Sequence, residues 1–430
     1  MVKLRINGGT RLEGEIKVGG AKNSALPVIV AAALAADESI LHNVPPNLDV
    51  LTMCQILREI GVQVWFDGEG ALHVDGRGLT GGMVPYDLAR RMRASFYVAG
   101  MLLARLGEAQ VPLPGGCALG SRPVDYHIKG FQALGAEVKI EHGYMKATRS
   151  RLQGAKIYIN RASVGTTVNM MLAACSIDGA TILENAAKEP EVVDLAICLN
   201  SMGARIRGAG TDVIRIDGVK KLRGTEHSII PDRIEAGTYA LAGAITGGHL
   251  LLRNVMSEHL RSPLLKLEES GVVINEGLNE LEIIAPPRLQ AVDMETFPYP
   301  GFPTDLQPPF TAALTLAQGT SVIRETIFDR FRYVDELRRM GADIKVERDT
   351  AIVRGVEHLT GAPVEAPDLR AGAALVLAGL AAQGTTEVGG VSLIERGYAH
   401  LDSKLRGVGA RISREGSDPE WEELERLVSR

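Results

Sequence analysis

Aromatic side chains make up only 4% of the 430 residues, which argues against a binder that stacks bases on successive rings. Positive charge is not in excess either. The 47 Lys and Arg stand against 52 Asp and Glu, a formal net charge of −5, so no global field attracts nucleic acid or an anionic membrane. The four cysteines (Cys54, Cys117, Cys175 and Cys198) show no CxxC spacing, and the few His form no HExxH motif and no Ser-His-Asp order. Structural zinc, metal-assisted hydrolysis and serine chemistry therefore get no support. The longest apolar runs, Ala25–Ala36 and Ala371–Ala382, fall well short of the roughly 20 residues of a membrane span. The opening MVKLRINGG has no apolar segment of a secretory signal. A soluble cytoplasmic protein with free thiols is expected.

What the chain does have is glycine, 48 residues, and a 45% hydrophobic content with 23% charged residues. This composition supports aliphatic cores with many tight turns, typical of α/β or α+β architecture, and the length predicts two or three domains. A short signature recurs six times: a leucine-containing helix end, a glycine, then a β-like run. Its glycines are Gly61, Gly135, Gly203, Gly271, Gly341 and Gly409, spaced by 74, 68, 68, 70 and 68 residues. A second signature, an Ala/Leu-rich helix followed by a turn and a strand, keeps step with the first. Each unit reads strand, helix, strand, helix, strand, turn, strand. In the first these are EGEIKV, SALPVIVAAALA, SILHNV, LDVLTMCQILREI, VQVWFD and ALHVDG. One unit of about 70 residues would make a marginal core, whereas three closing around a shared interior would hide their helices. Two such groups account for all six. The crossings are placed near Gly20 and Pro231, giving residues 1–20 with 231–430 as one domain and 21–230 as the other. The first strand, before Gly20, is assigned to the C-terminal group.

Several residues are candidates for chemistry, each with a plain structural alternative. Cys117 follows Pro114-Gly115-Gly116 in a loop, with Arg122 five residues on, and a nearby cation lowers a thiol pKa. The other three cysteines sit in apolar helical stretches and read as inert core. Lys22 and Asn23 open a helix after a glycine pair, a natural phosphate or carboxylate site. GxxxxGK[ST] fails there, and a surface lysine is the alternative. Arg93, Arg370 and Arg396 border apolar helices, and Arg is suited to bidentate contact with carboxylate or phosphate. Asp305 in PYPGFPTDLQPPF reads either as a helix cap or as a general base for a hydroxyl.

The sixfold pattern, together with GGAKNSALP, RMRAS, PGGCALGSRPVDYH, ENAAKEPEVVD, FPTDLQ, DLRAGAALVLAG and ERGY, resembles the enolpyruvyl transferase family. Within it the likeness is to the UDP-N-acetylglucosamine 1-carboxyvinyltransferases, which open peptidoglycan synthesis. The PGGC loop and the FPTD segment set it apart from 5-enolpyruvylshikimate-3-phosphate synthase. The resemblance implies two domains, each three βαβαββ units around buried helices (an inside-out α/β barrel), with a cleft between them. It implies transfer of the enolpyruvyl group of phosphoenolpyruvate to the 3′-hydroxyl of UDP-N-acetylglucosamine, with no cofactor and no metal. It puts Lys22, Asn23, Arg122 and Arg396 around phosphoenolpyruvate, with positive charge added by Arg93 and Arg370. Arg93, Arg122, Pro123, Val124, Asp125, Tyr126, Arg161, Ala162, Ser163, Val164, Asp305 and Ile327 correspond to the sugar-nucleotide side. Asp305 is implied to take the hydroxyl proton. Cys117 is implied to donate a proton to C3, to form a covalent phosphoenolpyruvate adduct, and to be alkylated by fosfomycin.

The sequence departs from the family pattern in places. Arg161 stands where Lys is common, the segment after Ile327-Phe328 is one residue shorter, Asp335 replaces a frequent Pro, and Pro309 a frequent Gln. Two alternatives follow: a different hydroxylated acceptor, or a catalytically silent sugar-nucleotide binder. Ser417 or Asp418 before Pro419 predicts a capped terminal helix, with no function assigned.

Overall fold

The structure, a computed structural model, describes residues 2–113, 124–149, 151–416 and 426. The chain forms two compact units. The described parts of Met1–Gly19 and Pro231–Trp421 make the C-terminal unit, and those of Gly20–Cys117 and Ser121–Ile230 make the N-terminal unit. The chain passes from one to the other between Gly19 and Gly20, and back between Ile230 and Pro231.

Each repeat contributes one buried helix: α1 (Lys22–Ala32), α2 (Val98–Leu106), α3 (Val164–Ala174), α4 (Arg233–Ile245), α5 (Gln307–Leu314) and α6 (Leu369–Ala381). These segments are apolar on every side, so no face of them suits water. In α4 every residue from Ile234 to Ile245 is buried, and in α6 every residue from Arg370 to Leu380. Small residues let the helices approach closely. A Cβ on Gly237 would lie 2.5 Å from Leu306 Cδ1, and one on Gly100 2.5 Å from the Asn169 carbonyl oxygen. Other helices are amphipathic instead. Arg261–Glu269, for example, buries only Pro263, Leu264 and Leu267, one stripe of its surface.

Among the described residues the strands form five four-stranded sheets and one of three strands. In the first repeat Glu38–His42 pairs antiparallel with Leu72–Asp75, which pairs antiparallel with Gln63–Phe66. The elements expected in this repeat are all present in that order. Its outermost strand comes from far along the chain, since Glu226–Ser228 lies parallel to Glu38–His42. Reciprocally, Glu13–Lys17 lies parallel to His249–Arg253 in the C-terminal unit. In the second repeat the outermost strand shrinks to a single bridge, Met83 with Gln110. The sixth sheet is completed by the N-terminal strand Lys3–Asn7, inserted between Thr385–Gly389 and Arg411–Glu415.

All six signature glycines have positive φ, from 91° at Gly135 to 101° at Gly203. Each reverses the chain just past a helix end, in a left-handed conformation that strains any residue with a Cβ. Asn43, Asn185 and Asn254 share another position of positive φ, directly after the strand that follows the buried helix. Each donates its amide to a carbonyl beside its sheet's outermost strand: Ile229, Ile159 and Val18, at 2.7 to 2.8 Å. Among the described residues no helix is long and apolar enough to cross a membrane.

Candidate active site

Of the described candidate residues, Lys22, Asn23, Val164 and Arg370 fall at the N-terminal ends of buried helices, where unpaired backbone N–H groups and the helix dipole favour negative charge. In the N-terminal unit Lys22 is the first residue of α1, and Gly20 comes just before it. A Cβ on Gly20 would stand 1.7 Å from the Asn43 carbonyl oxygen, so only glycine allows this approach. Lys22 is buried and its Nζ donates to Asp49 Oδ2 at 3.1 Å. Asp49 opens the helix Leu48–Glu59 and is itself buried. Asn23 is half-buried. Asp194 lies beneath this helix start: it accepts from Ser24 Oγ, from His227 at 3.0 Å and from the Ile230 N–H at 3.4 Å.

A neutral polar cluster holds the ends of α2 and α3. Asn169 donates to the Phe96 carbonyl and to His127 Nδ1, both at 3.0 Å, and accepts from the Gly100 N–H at 2.9 Å. Burial, reinforced by the Arg93 charge, pushes the His127 pKa down to about 3. The ring is therefore neutral, and its Nδ1 accepts while Nε2 keeps the proton. Arg93 begins the turn Arg93–Tyr97, which packs against α1, α2 and α3. Ser163 caps α3, accepting from the Thr166 N–H at 3.3 Å, while Thr166 Oγ1 is buried without a hydrogen bond among the described residues. Val164 is the first residue of α3, with Arg161 exposed and Ala162 half-buried before it. Val124, Asp125 and Tyr126 form the start of the helix Asp125–Ala133, which packs along α3 with Gly130 against Met170. Cys117, Arg122 and Pro123 lie outside the described residues.

In the C-terminal unit two buried arginines meet one carboxylate. Asp305 sits in the turn Thr304–Leu306 before α5 and is 25% exposed. Its Oδ1 accepts from Arg330 Nη1 at 2.9 Å, and its Oδ2 from Arg370 Nε at 3.1 Å, with Nη2 at 3.0 Å. The two arginine side chains are only 2% and 1% exposed. Arg370 is held at the start of α6, which Asp368 caps by accepting the Arg370 and Ala371 N–H groups at 2.8 and 3.0 Å. Its guanidinium lies over the Tyr398 ring, 5.1 Å from the centroid. Tyr398 in turn meets Thr238 of α4 at 3.0 Å, which brings the beginnings of all three buried helices together. Arg396 is half-buried at the end of Val391–Glu395. After it comes Gly397, where a Cβ would be 2.3 Å from Leu369 Cδ1.

Chemically, two buried guanidinium groups facing one partly open carboxylate fix its direction. Arg330 Nε is a buried donor without a hydrogen bond among the described residues. No group of three or more His, Cys, Asp or Glu among the described residues is placed to share a metal ion. The cysteines of the helices are buried, and burial raises the thiols of Cys54, Cys175 and Cys198 to about 12.

Sequence reasoning missed Asp49, His127, Asn169, Glu325 and Arg330. Asp49 carries the ordinary signature of an acid in a first helical turn. Arg330 sits in the shortened segment after Ile327, which looks solvated as a string. Only its fold-back to Asp305 reveals it, with its guanidinium 5.7 Å from the Phe328 ring centroid. Ile327 itself is half-buried, and its N–H is held by Glu325 at 2.9 Å.

The family profile of EPSP synthase (3-phosphoshikimate 1-carboxyvinyltransferase) matches residues 6–405. A UDP-N-acetylglucosamine 1-carboxyvinyltransferase 2 of Symbiobacterium thermophilum is 55% identical, with 96% of this chain and 98% of that protein covered. A UDP-N-acetylglucosamine 1-carboxyvinyltransferase 1 of Caldanaerobacter subterraneus subsp. tengcongensis is 52% identical, covering 94% and 97%. Among solved structures, the enolpyruvyl transferase NikO of Streptomyces tendae superposes with a TM-score of 0.87 at 26% identity, over 97% of this chain and 99% of that one.

Proposed function

The chain belongs to the enolpyruvyl transferase family, and on that premise we propose that it is a UDP-N-acetylglucosamine 1-carboxyvinyltransferase acting in peptidoglycan synthesis. The observation that carries the reading is the near end-to-end match, at about half identity, with relatives of that name. The donor is phosphoenolpyruvate. The 3′-hydroxyl of the sugar nucleotide adds to C2 of the enol while a proton is delivered to C3, giving a tetrahedral phospho-ketal. Loss of phosphate from C2 and of a proton from C3 then leaves the enol ether.

Each group has a role in this reading. Asp305 accepts the hydroxyl proton, and its arginine clamp aims it. Cys117 supplies the proton for C3, carries the covalent phosphoenolpyruvate adduct and is the thiol alkylated by fosfomycin. Lys22, Asn23, Arg122, Arg370 and Arg396 hold the phosphate and carboxylate of phosphoenolpyruvate. Two anionic substrates repel each other, and cations of this kind offset that repulsion. Arg93, Arg161 and the N-terminal ends at Val124–Tyr126 and Ala162–Val164 serve the nucleotide, whose diphosphate suits helix N-termini. The cytoplasm, where both substrates would be made, is the compartment assigned.

The test is direct. Protein mixed with phosphoenolpyruvate and UDP-N-acetylglucosamine should release phosphate in proportion to enol ether formed, and fosfomycin should stop it by modifying one thiol. Folded protein that releases no phosphate would sink the reading. Release with another hydroxylated acceptor at higher kcat/KM would move the substrate and leave the reaction class standing.

A further inference from the structure

The fifth repeat breaks a rule that three others keep. Where Asn43, Asn185 and Asn254 follow their strands, the strand Thr320–Arg324 is followed by Glu325. The three asparagines each donate an amide to a carbonyl beside the outermost strand. Glu325 instead accepts on both oxygens and is 3% exposed. Its Oε1 takes Thr296 Oγ1 at 2.9 Å and the N–H groups of Ile327 and Phe328 at 2.9 and 3.2 Å. Its Oε2 takes Thr304 Oγ1 at 2.9 Å. Burying a carboxylate is costly unless its lone pairs are met, and a neutral asparagine does the strand-tying work at less cost elsewhere. The exchange therefore calls for a reason specific to this repeat.

The partners supply the reason. Thr304 precedes Asp305, and its hydroxyl donates to Glu325 while lying 3.2 Å from Arg330 Nη1. That same Nη1 donates to the Thr304 carbonyl at 2.6 Å and to Asp305 at 2.9 Å. With its proton committed to Glu325, the Thr304 hydroxyl can only accept from Arg330, which fixes Arg330 against Asp305. The other oxygen of Glu325 holds the backbone of Ile327 and Phe328. We propose that Glu325 is a positioning residue that sets Asp305, through Thr304 and Arg330, in register with the Ile327 segment, so that the acceptor hydroxyl and the carboxylate meet correctly. The role rests on the acceptor reading given above for Asp305 and Ile327.

The experiment compares steady-state kinetics of Glu325→Gln, Thr304→Val, Thr304→Ser and the Glu325→Gln/Thr304→Val double variant with the parent. Asn254→Ala, which loses the equivalent tie in another repeat, serves as control. Because small misplacements of reacting groups cost about 10²-fold, Glu325→Gln should lower kcat/KM for UDP-N-acetylglucosamine by about 10- to 100-fold, with KM for phosphoenolpyruvate within about twofold. Thr304→Val should lose about 10-fold, Thr304→Ser should restore it, and the double variant should be no worse than Glu325→Gln, as members of one chain are not additive. Asn254→Ala should lower the melting temperature and leave both KM values unchanged. Folded Glu325→Gln and Thr304→Val with parental kcat and KM, or losses that add in the double variant, overturn the role. So does a loss in Glu325→Gln that only follows the folded fraction. A parent that releases no phosphate overturns the acceptor reading, and this role with it. Parental release with unaltered variants removes this role alone.

Discussion

The two units repeat one plan three times each, yet they treat charge in opposite ways. At the helix starts of the N-terminal unit Lys22 pairs with Asp49, Asp194 is tied by Ser24 and His227 beneath the same helix, and the cluster between α2 and α3 is held by neutral groups: Asn169, a neutral His127, backbone amides. In the C-terminal unit one carboxylate, Asp305, is shared by two buried arginines, and a second, Glu325, stands behind it. The shared plan fixes where functional groups sit, at the ends of helices whose dipoles already favour anions. It leaves the repeats free to differ in how charge is balanced there. A paired charge can be removed together with its partner, whereas a shared one cannot, and that contrast is open to experiment.

The largest effects should come from these charges. Lys22→Met should destabilise the protein by about 3–5 kcal/mol, because it strips Asp49 of its buried cation, and Lys22→Met/Asp49→Leu should recover much of that. Asp305→Leu/Arg330→Met should not recover in the same way, since Arg370 remains buried opposite an apolar side chain. Urea unfolding midpoints of the two double variants and of their four single changes test this. Equal recovery in both units would show that the Asp305 cluster behaves as a simple pair. Asp305→Ala alone should also lower turnover by about 10²–10⁴-fold, the range of a lost general base, read as phosphate release.

The neutral cluster predicts a smaller effect with a defined sign. The folded pKa of His127 is depressed to about 3 by burial and then by Arg93, against about 6.5 in the unfolded chain. Below pH about 6.5 the unfolded state binds the extra proton, so the stability His127 contributes is full above that pH and is lost as pH falls toward 3. Unfolding midpoints measured between pH 7 and 4 should fall more steeply for the parent than for His127→Gln. Identical slopes would mean that His127 is not held neutral.

The repeat architecture was legible because it is written locally. Six glycines must reverse the chain, and two periodicities alternate between them. Residues 1–20 were assigned to the C-terminal group, but the neighbours of Lys3–Asn7 were not legible, since it joins strands more than 370 residues away and a strand's pattern does not name its neighbour. At the site, helix-border cations and Asp305 stood out by residue type and by resemblance. Arg330 and Glu325 did not, because a charged residue in a polar segment reads as solvated until the fold turns it inward. Asp49 and Asp194 were hidden similarly, as acids on helices whose buried contacts lie elsewhere in the chain.

The smallest effects separate backbone strain from packing. Gly203 and Gly341 occupy the same place in a repeat of each unit, at φ 101° and 93°. A Cβ on Gly203 would meet nothing within 4 Å, and one on Gly341 only Thr360 Oγ1 at 3.9 Å. Gly203→Ala and Gly341→Ala should therefore each cost about 1–2 kcal/mol, the left-handed conformation alone. Gly61→Ala should cost more, because there the Cβ would also lie 2.3 Å from the Gly78 carbonyl oxygen. Unfolding midpoints that match for the first two and fall lower for the third would place the units' difference in their charges, above a backbone plan they hold in common. A large gap between Gly203→Ala and Gly341→Ala would show instead that the two units resist backbone strain unequally.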